Sequence, residues 1–284
     1  MAGVLSTLAD LNAFFNLIYE DVMFVARETN LMTGLVTNYS ATGWMARKLT
    51  TYPSLVAEPI NEAVDYSAAQ LWDKQLVTTF TPSEIIAQVV LTDRRMETDP
   101  DDARRDASTE MGNAVAKKID KDIIGDFASF STDKGTGAGS AASISSFAAS
   151  IAVLRNNLVP NPVYIVAHPY HWHDVWTQLG QPGANQALLG DLANQALRDY
   201  FVGRWINVLW FTSANIAIDG SGDAVSAVFN PGALAFDSRK PPSMEPERDA
   251  SLRAWELNIT AGYAHGIRRS TFGVKYTADA TEPV

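Results

Sequence analysis

The chain has 284 residues, 46% of them hydrophobic, which is enough for one large domain or two modest ones with a buried core. The first fifteen residues contain no Lys or Arg, and no apolar run approaches the roughly 20 residues that span a bilayer, so the sequence predicts neither a secretory signal nor a membrane partner. The absence of cysteine excludes disulfides, thiolate nucleophiles and cysteine metal sites. A formal charge of −10 argues against tight nucleic-acid binding, because affinity for phosphate comes mainly from Lys and Arg.

Residues 7–27 are predicted to form an amphipathic helix that Ser6 or Thr7 can cap. Its apolar side chains recur at steps of three and four residues, at Leu8, Leu11, Phe14 or Phe15, Ile18, Val22 and Val25. This stripe needs a partner, and we expect Phe14, Phe15 and Ile18 to lie in a contact between subunits. The residues that follow, up to 43, mix Gly, Asn, Ser and Thr and are predicted to be an extended connector.

Residues 44–91 are predicted to form a long two-stranded loop, with two strand-like stretches around a polar, proline-containing middle. The loop has too few large apolar residues to build its own core, so we expect it to lie on another surface, such as a second subunit. Its charged side chains could pair with a neighbour and orient it, each exposed pair contributing at most ~1 kcal/mol. These candidates for contacts between subunits are Arg47, Lys48, Glu58, Glu62, Asp65 and Lys74.

A long helix is predicted from about Asp101 to Phe130. Asp99-Pro100-Asp101-Asp102 is a start signal, with a capping carboxylate, proline in the first helical position and acids in the first turn. The helix would have about seven turns and a length of about 40 Å. Its inward stripe consists of apolar residues at every fourth position, namely Ala103, Ala107, Met111, Val115, Ile119, Ile123 and Phe127.

Beyond the helix, residues 131–143 are rich in Gly, Ser and Ala and indicate a domain boundary or a surface loop. The pattern then alternates between helix and strand, which predicts a small mixed α/β unit. Its elements are a helix at 145–157, a strand at 163–167, a helix from His168-Pro169 to Leu179 and a strand at 206–211. A turn at 219–223 precedes four predicted strands, within 224–230, 233–239, 254–268 and 271–279.

Three of these stretches, in their order, resemble the major capsid proteins of tailed bacteriophages. They are the long helix, the strand and helix of residues 162–179 (PVYIVAHPYHWHDVWTQL), and residues 228–278, from VFNPGALAFDSR to TFGVKYTA. The resemblance implies an α+β fold of the Hong Kong 97 type. Its parts would be an N-terminal arm (1–43), an extended E-loop (44–91), a P-domain with the long spine helix (92–141), an A-domain (142–236) and the return strands of the P-domain (237–284).

The resemblance also implies a function. The chain would be a structural protein without enzymatic activity or cofactor, which assembles in the host cytoplasm into hexamers and pentamers of an icosahedral head enclosing double-stranded DNA. In the virion it would touch the packaged DNA non-specifically. Portal, decoration and scaffolding proteins would be separate partners, since about forty residues before the loop leave little room for a cleavable scaffolding segment. An alternative with the same fold is the shell of an encapsulin-like nanocompartment.

His168, His171 and His173 are candidates for a metal site, and a metal-dependent enzyme that uses His168 and His171 is the alternative from another class. On a helix His168 and His171 can share a face, but His173 points about 200° away from His171. The favoured interpretation is therefore a helix start and surface histidines. His265 is too isolated to assign.

Some members of the resembled family crosslink an E-loop lysine to an asparagine of a neighbouring P-domain with the help of a glutamate. The residues in corresponding regions are Lys48 or Lys74, with Asn258 and Glu256. No local motif identifies them, and ordinary salt bridges and strand positions are the favoured interpretation.

Overall fold

The computed structural model describes residues 31–52, 55–60, 62, 65, 69–98, 100–180, 204–205 and 208–283. The predicted N-terminal helix, with Phe14, Phe15 and Ile18, lies outside the described residues. The described residues form two larger sheets, a two-stranded arm and four α-helices.

The first large sheet has four strands in the order β1-β9-β10-β4. The strands are β1 (Thr37–Ser40), β4 (Ser83–Thr92), β9 (Leu234–Asp249) and β10 (Ala254–Ile267). Strand β10 lies antiparallel to both β9 and β4, while β1 lies parallel to the start of β9. Strand β9 is longer than the predicted stretch 233–239 because Pro241 and Pro242 fall at a register shift opposite Ala261, and a bulge tolerates residues without an N–H donor.

One long helix covers a face of this sheet. Helix α1 (Asp93–Thr98) leads into α2 (Pro100–Gly125), which a 3₁₀ turn (Asp126–Ser129) extends. The predicted helix is confirmed, except that its last turn is 3₁₀. The predicted inward stripe is confirmed where its side chains are described, since the following are all buried: Ala107, Met111, Val115, Ile119, Ile123 and Phe127. They pack against residues of β4 and β10 such as Val89 and Leu257.

The second large sheet has five strands in the order β11-β8-β5-β7-β6. They are β5 (Tyr164–Ala167), β6 (Arg204–Trp205), β7 (Val208–Thr212), β8 (Asp223–Phe229) and β11 (Gly273–Asp279). Helices α3 (Ile144–Asn156) and α4 (Pro169–Gly180) accompany it. The predicted alternation of helix and strand is thus confirmed. Phe147 of α3 stacks on Tyr276 with 3.8 Å between the ring centroids.

The strands after residue 237 divide differently from the expectation that they share one unit. Strand β11 pairs with β8 from Gly273 to Asp279 and so belongs to the five-stranded sheet. The long helix with its 3₁₀ extension also contacts both sheets. The ring centroids of Phe127 and Phe229 of β8 are 5.5 Å apart. The two sheets therefore share one continuous core around the end of α2.

The two-stranded arm consists of β2 (Arg47–Thr51) and β3 (Gln75–Phe80), which are antiparallel. This confirms a two-stranded loop but corrects its extent. The predicted loop continued to Leu91, whereas Ser83–Thr92 pairs with β10 over ten positions. Apolar side chains at alternate positions of β4 pack towards α2, so burial under the helix holds this segment in the sheet.

Candidate assembly surface

The described part of the arm exposes large apolar side chains. Eight of them are between 46% and 84% accessible to solvent, namely Trp44, Met45, Tyr52, Leu55, Val56, Ile60, Leu71 and Trp72. Isolated exposed apolar residues are ordinary, but several large ones on one element are typical of a surface that another molecule covers.

These side chains are arranged by contacts within the arm. The rings of Tyr52 and Trp72 stack with 4.9 Å between their centroids, and the Lys74 ammonium lies 5.9 Å from the Tyr52 ring. Across the loop, the Gln70 amide both accepts a hydrogen bond from the Val56 N–H and donates one to the Val56 carbonyl. The arm thus presents a preformed apolar surface, which lowers the ordering cost when a partner binds.

Most of the predicted contact residues lie on this arm and are exposed: Lys48, Glu58, Glu62, Asp65 and Lys74. Arg47 differs from the expectation because it is engaged within its own chain. Its Nε donates to Asp237 Oδ2 at 2.9 Å and its terminal nitrogen to Oδ1 at 3.2 Å. Arg239 makes a second pair with the same carboxylate, at 2.6 Å. A fully buried carboxylate needs such compensation.

The outer face of the four-stranded sheet carries the other residues that the family resemblance suggested. Glu256 Oε2 accepts a hydrogen bond from Gln88 Nε2 at 3.0 Å. Asn258 lies between β4 and β9 in the middle of β10, and its side-chain oxygen is buried without a partner among the described residues. No hydrogen bond or ion pair of the described chain joins Asn258 or Glu256 to Lys48 or Lys74, so crosslinking stays a prediction.

The histidines of α4 connect neighbouring elements. His168 Nδ1 accepts a hydrogen bond from the Tyr170 N–H at 3.2 Å, so it caps the helix as the sequence predicts. His171 is fully buried, and the expectation of a surface histidine is wrong for it. Its Nε2 donates to the Ala278 carbonyl at 3.2 Å, and its Nδ1 lies 2.8 Å from the Ser226 hydroxyl, which can donate to it when the ring is neutral.

Burial disfavours the charged form of both histidines. It lowers the pKa of His168 to about 4, with a smaller effect from His171, and it lowers the pKa of His171 as well. His173 is half-buried, with Nδ1 3.9 Å from Asp174. Within the described ranges, no group of three or more His, Cys, Asp or Glu side chains could hold a metal ion.

Two polar clusters that sequence reasoning missed fasten α2 to its surroundings. Asp120 is 1% exposed and accepts hydrogen bonds from the N–H groups of Leu31 (3.2 Å) and Met32 (3.1 Å), which fixes the path of the chain into β1. Burial raises the pKa of Asp120, while these backbone hydrogen bonds oppose the rise. A clue was present in the sequence, because Asp120 lies between the apolar positions Ile119 and Ile123.

The second cluster joins the end of α2 to β10. His265 Nδ1 lies 2.8 Å from Asp126 Oδ2, and the Tyr263 hydroxyl donates to Asp122 at 2.6 Å. Lys118 also pairs with Asp122, at 2.7 Å. The hydrogen bond with Asp126 raises the pKa of His265, and burial together with the Asp122 bond raises the pKa of Tyr263. These partners are 139 and 141 residues apart in sequence, too far for local patterns to reveal.

No helix in the described part of the chain is long and apolar enough to cross a membrane. A comparison with curated protein sequences finds no match.

Solved structures share the fold at low sequence identity. The chain is similar to a structure of Mycobacterium phage Che8, with a TM-score of 0.65, 18% identity and coverage of 83% of this chain and 85% of that one. It is also similar to the capsid structure of the cyanophage P-SCSP1u, with a TM-score of 0.68, 11% identity and coverage of 89% of each chain. A third similar structure is a virus-like particle from Pyrococcus furiosus, with a TM-score of 0.61, 9% identity and coverage of 93% of this chain and 99% of that one.

The likeness in sequence is to one family. The model of the family described as phage capsid protein matches residues 62–276. This stretch contains β3 of the arm, the long helix, and both large sheets apart from β1 and the last residues of β11. The fold agrees with the match, and the chain belongs to the phage capsid protein family.

Proposed function

We propose that this protein is the major capsid protein of a tailed bacteriophage, and that it assembles into hexamers and pentamers of an icosahedral head around double-stranded DNA. Membership of the phage capsid protein family supports a shell-forming component of the virion. The observation that carries the proposal is the arm, whose apolar side chains are exposed on a subunit that otherwise has a well-buried core. Identical subunits can cover such surfaces by repeated contacts that close into rings.

In this proposal each element is assigned to a part of the Hong Kong 97 type fold. The arm corresponds to the E-loop and α2 to the spine helix. The four-stranded sheet, with α2, corresponds to the P-domain, and the five-stranded sheet with α3 and α4 to the A-domain. In the proposed shell the A-domain faces the ring centre, and the E-loop lies over an adjacent subunit.

The charges suit this arrangement. The exposed acids and lysines of the arm have no ion-pair partner in the described part of the chain, so Lys48, Glu58, Glu62, Asp65 and Lys74 are free to pair with a neighbour. Such pairs mainly set orientation and the rate of encounter. A net charge of −10 also suits a container whose wall does not hold the packed phosphates tightly.

The test is to express the chain alone and with candidate scaffolding proteins encoded beside it, and to image the product by negative-stain electron microscopy. Uniform icosahedral particles are the expected result. A subunit that stays monomeric under all these conditions would contradict the proposal. Nuclease-resistant DNA in particles from infected cells, formed in the host cytoplasm, would establish the genome as the content.

A nanocompartment shell that encloses protein is the second candidate. The likeness to the Pyrococcus furiosus virus-like particle, which covers nearly the full length of both chains, favours considering it. Mass spectrometry of purified particles separates the two. A stoichiometric protein cargo without DNA would favour the nanocompartment, whereas packaged DNA would favour the phage head.

A further inference from the structure

The base of the arm has a small core of its own. Phe80, the last residue of β3, is 2% exposed and packs with Ala235 of β9 and Ala264 of β10. Tyr39 of β1 and Leu49 of β2 pack against this cluster. The end of the arm is uncovered, whereas its base, which we call the arm root (Tyr39, Arg47, Leu49, Phe80 and Asp237), is tightly packed.

Two glycines of β10 let aromatic rings approach the backbone at this root. A Cβ atom on Gly262 would lie 2.6 Å from the Trp44 ring, and one on Gly266 would lie 2.7 Å from the Phe80 ring. Any larger residue would push these rings outward, because real Cβ contacts are not that short. The two chain segments that enter and leave the arm therefore rest directly on β10.

An ion cluster fixes the direction of the arm at the same place. Asp237 is fully buried in β9, and Arg47 of the arm contacts both of its oxygens in a forked geometry that constrains orientation as well as distance. Arg47 also donates to the Ser40 carbonyl at 3.3 Å and lies 4.9 Å from the centre of the Tyr39 ring. Arg239 links the same carboxylate to the Gly43 carbonyl, at 3.4 Å.

We propose that Arg47 is a positioning residue for assembly, which sets the angle at which the arm leaves the four-stranded sheet and so determines where the arm meets a neighbouring subunit. This inference rests on the proposed function. Repeated contacts between identical subunits close into a ring only when the rotation from one subunit to the next permits it, so the direction in which each subunit presents the arm affects whether a shell closes. An arm held by packing alone could pivot about its base, whereas the forked pair with Asp237 resists rotation.

Arg47→Met is the informative variant, because Asp237 keeps its pair with Arg239 and the sheet stays compensated. Arg248→Met is the matched control. It removes a more exposed arginine–aspartate pair, between Arg248 of β9 and Asp93 of α1 at 2.7 Å, away from the arm root. Arg47→Lys keeps the charge but cannot make the bidentate contact with both oxygens of Asp237. For each variant, amide hydrogen exchange is measured on dispersed subunits, and particle diameter and yield are measured by electron microscopy after assembly.

In Arg47→Met we expect amides of β2 and β3 to exchange about tenfold faster while those of β9 and β10 are unchanged, because one charge-assisted contact at the root is lost. Particles should be fewer and variable in diameter. Arg248→Met should assemble like the wild type. Arg47→Lys should give a particle yield and exchange rates between those of the wild type and Arg47→Met. Uniform particles at wild-type yield from Arg47→Met, or unchanged exchange in β2 and β3, would overturn the inference. If the wild type formed no shells, the proposed function would fail, and exchange would still decide whether Arg47 holds the arm.

Discussion

The long helix and the arm use similar apolar side chains in opposite ways. On α2, the apolar residues recur every fourth position and lie under two sheets, with Ile123 and Phe127 at 0% exposure. On the arm, Trp72 and Leu71 are 52% and 76% exposed, because two strands alone offer no second layer to cover them. We infer from this comparison that the stability of the subunit and its proposed contacts with a neighbour depend on different regions, and substitutions can separate the two.

The largest loss of stability is expected for Phe127→Ala. This ring contacts Phe130 and Phe229 where both sheets meet the end of α2, and its removal should lower the free energy of unfolding by about 3–5 kcal/mol. Urea denaturation of dispersed subunits measures the change. Leu252→Ala, at a residue 60% exposed, is the control and should cost less than about 0.5 kcal/mol. Equal effects of the two variants would contradict the position of the core.

Asp120→Ala should be the next most damaging change. It leaves the N–H groups of Leu31 and Met32 without their acceptor in a buried place, at a cost of about 1–3 kcal/mol. Asp120→Asn keeps one carbonyl oxygen and should cost less. Thermal unfolding of both variants checks this order, and an alanine variant as stable as the wild type would show that the contact at Asp120 does not hold the entering chain.

His265→Asn is expected to have a smaller, pH-dependent effect of about 1 kcal/mol. Since the hydrogen bond with Asp126 raises the pKa of His265 above 6.5, its stabilisation is fully present below pH 6.5 and is lost as the pH rises through the higher pKa of the folded state. The difference in unfolding free energy between wild type and variant should therefore shrink with rising pH. Asp126→Asn should show the same trend. A difference independent of pH would contradict the ion pair.

Trp72→Ala should affect stability least, by less than about 1 kcal/mol, since the side chain is 52% exposed and the contact known to be lost is its stacking on Tyr52. Assembly should nevertheless fail or slow strongly, because the variant removes a large apolar side chain from the surface that we propose a neighbour covers. Light scattering during assembly and particle counts by electron microscopy measure this. Normal assembly of Trp72→Ala would remove the distinction between the two regions, as would a large loss of stability.

Patterns within one element were readable without the structure. The stripe of α2, the start of that helix near Pro100 and the alternation of helix and strand from 144 to 212 follow from local spacing, and the structure contains them. The same reading placed residues 83–91 in the arm, since a strand's sequence does not state which strand it pairs with. It also treated His171 as exposed, because burial comes from β8 and β11, far along the chain.

The sequence by itself determined which residues form α2, α3, α4 and most strands of the described chain, and that the arm has too little apolar surface to bury itself. Local propensity and periodicity act over a few residues and are present in the chain before it folds. Only the tertiary structure decided that β11 joins the five-stranded sheet, that Asp120 holds the entering chain, and that Arg47 of the arm pairs with Asp237, 190 residues away. These contacts depend on which elements packing brings together, and no local rule contains that information.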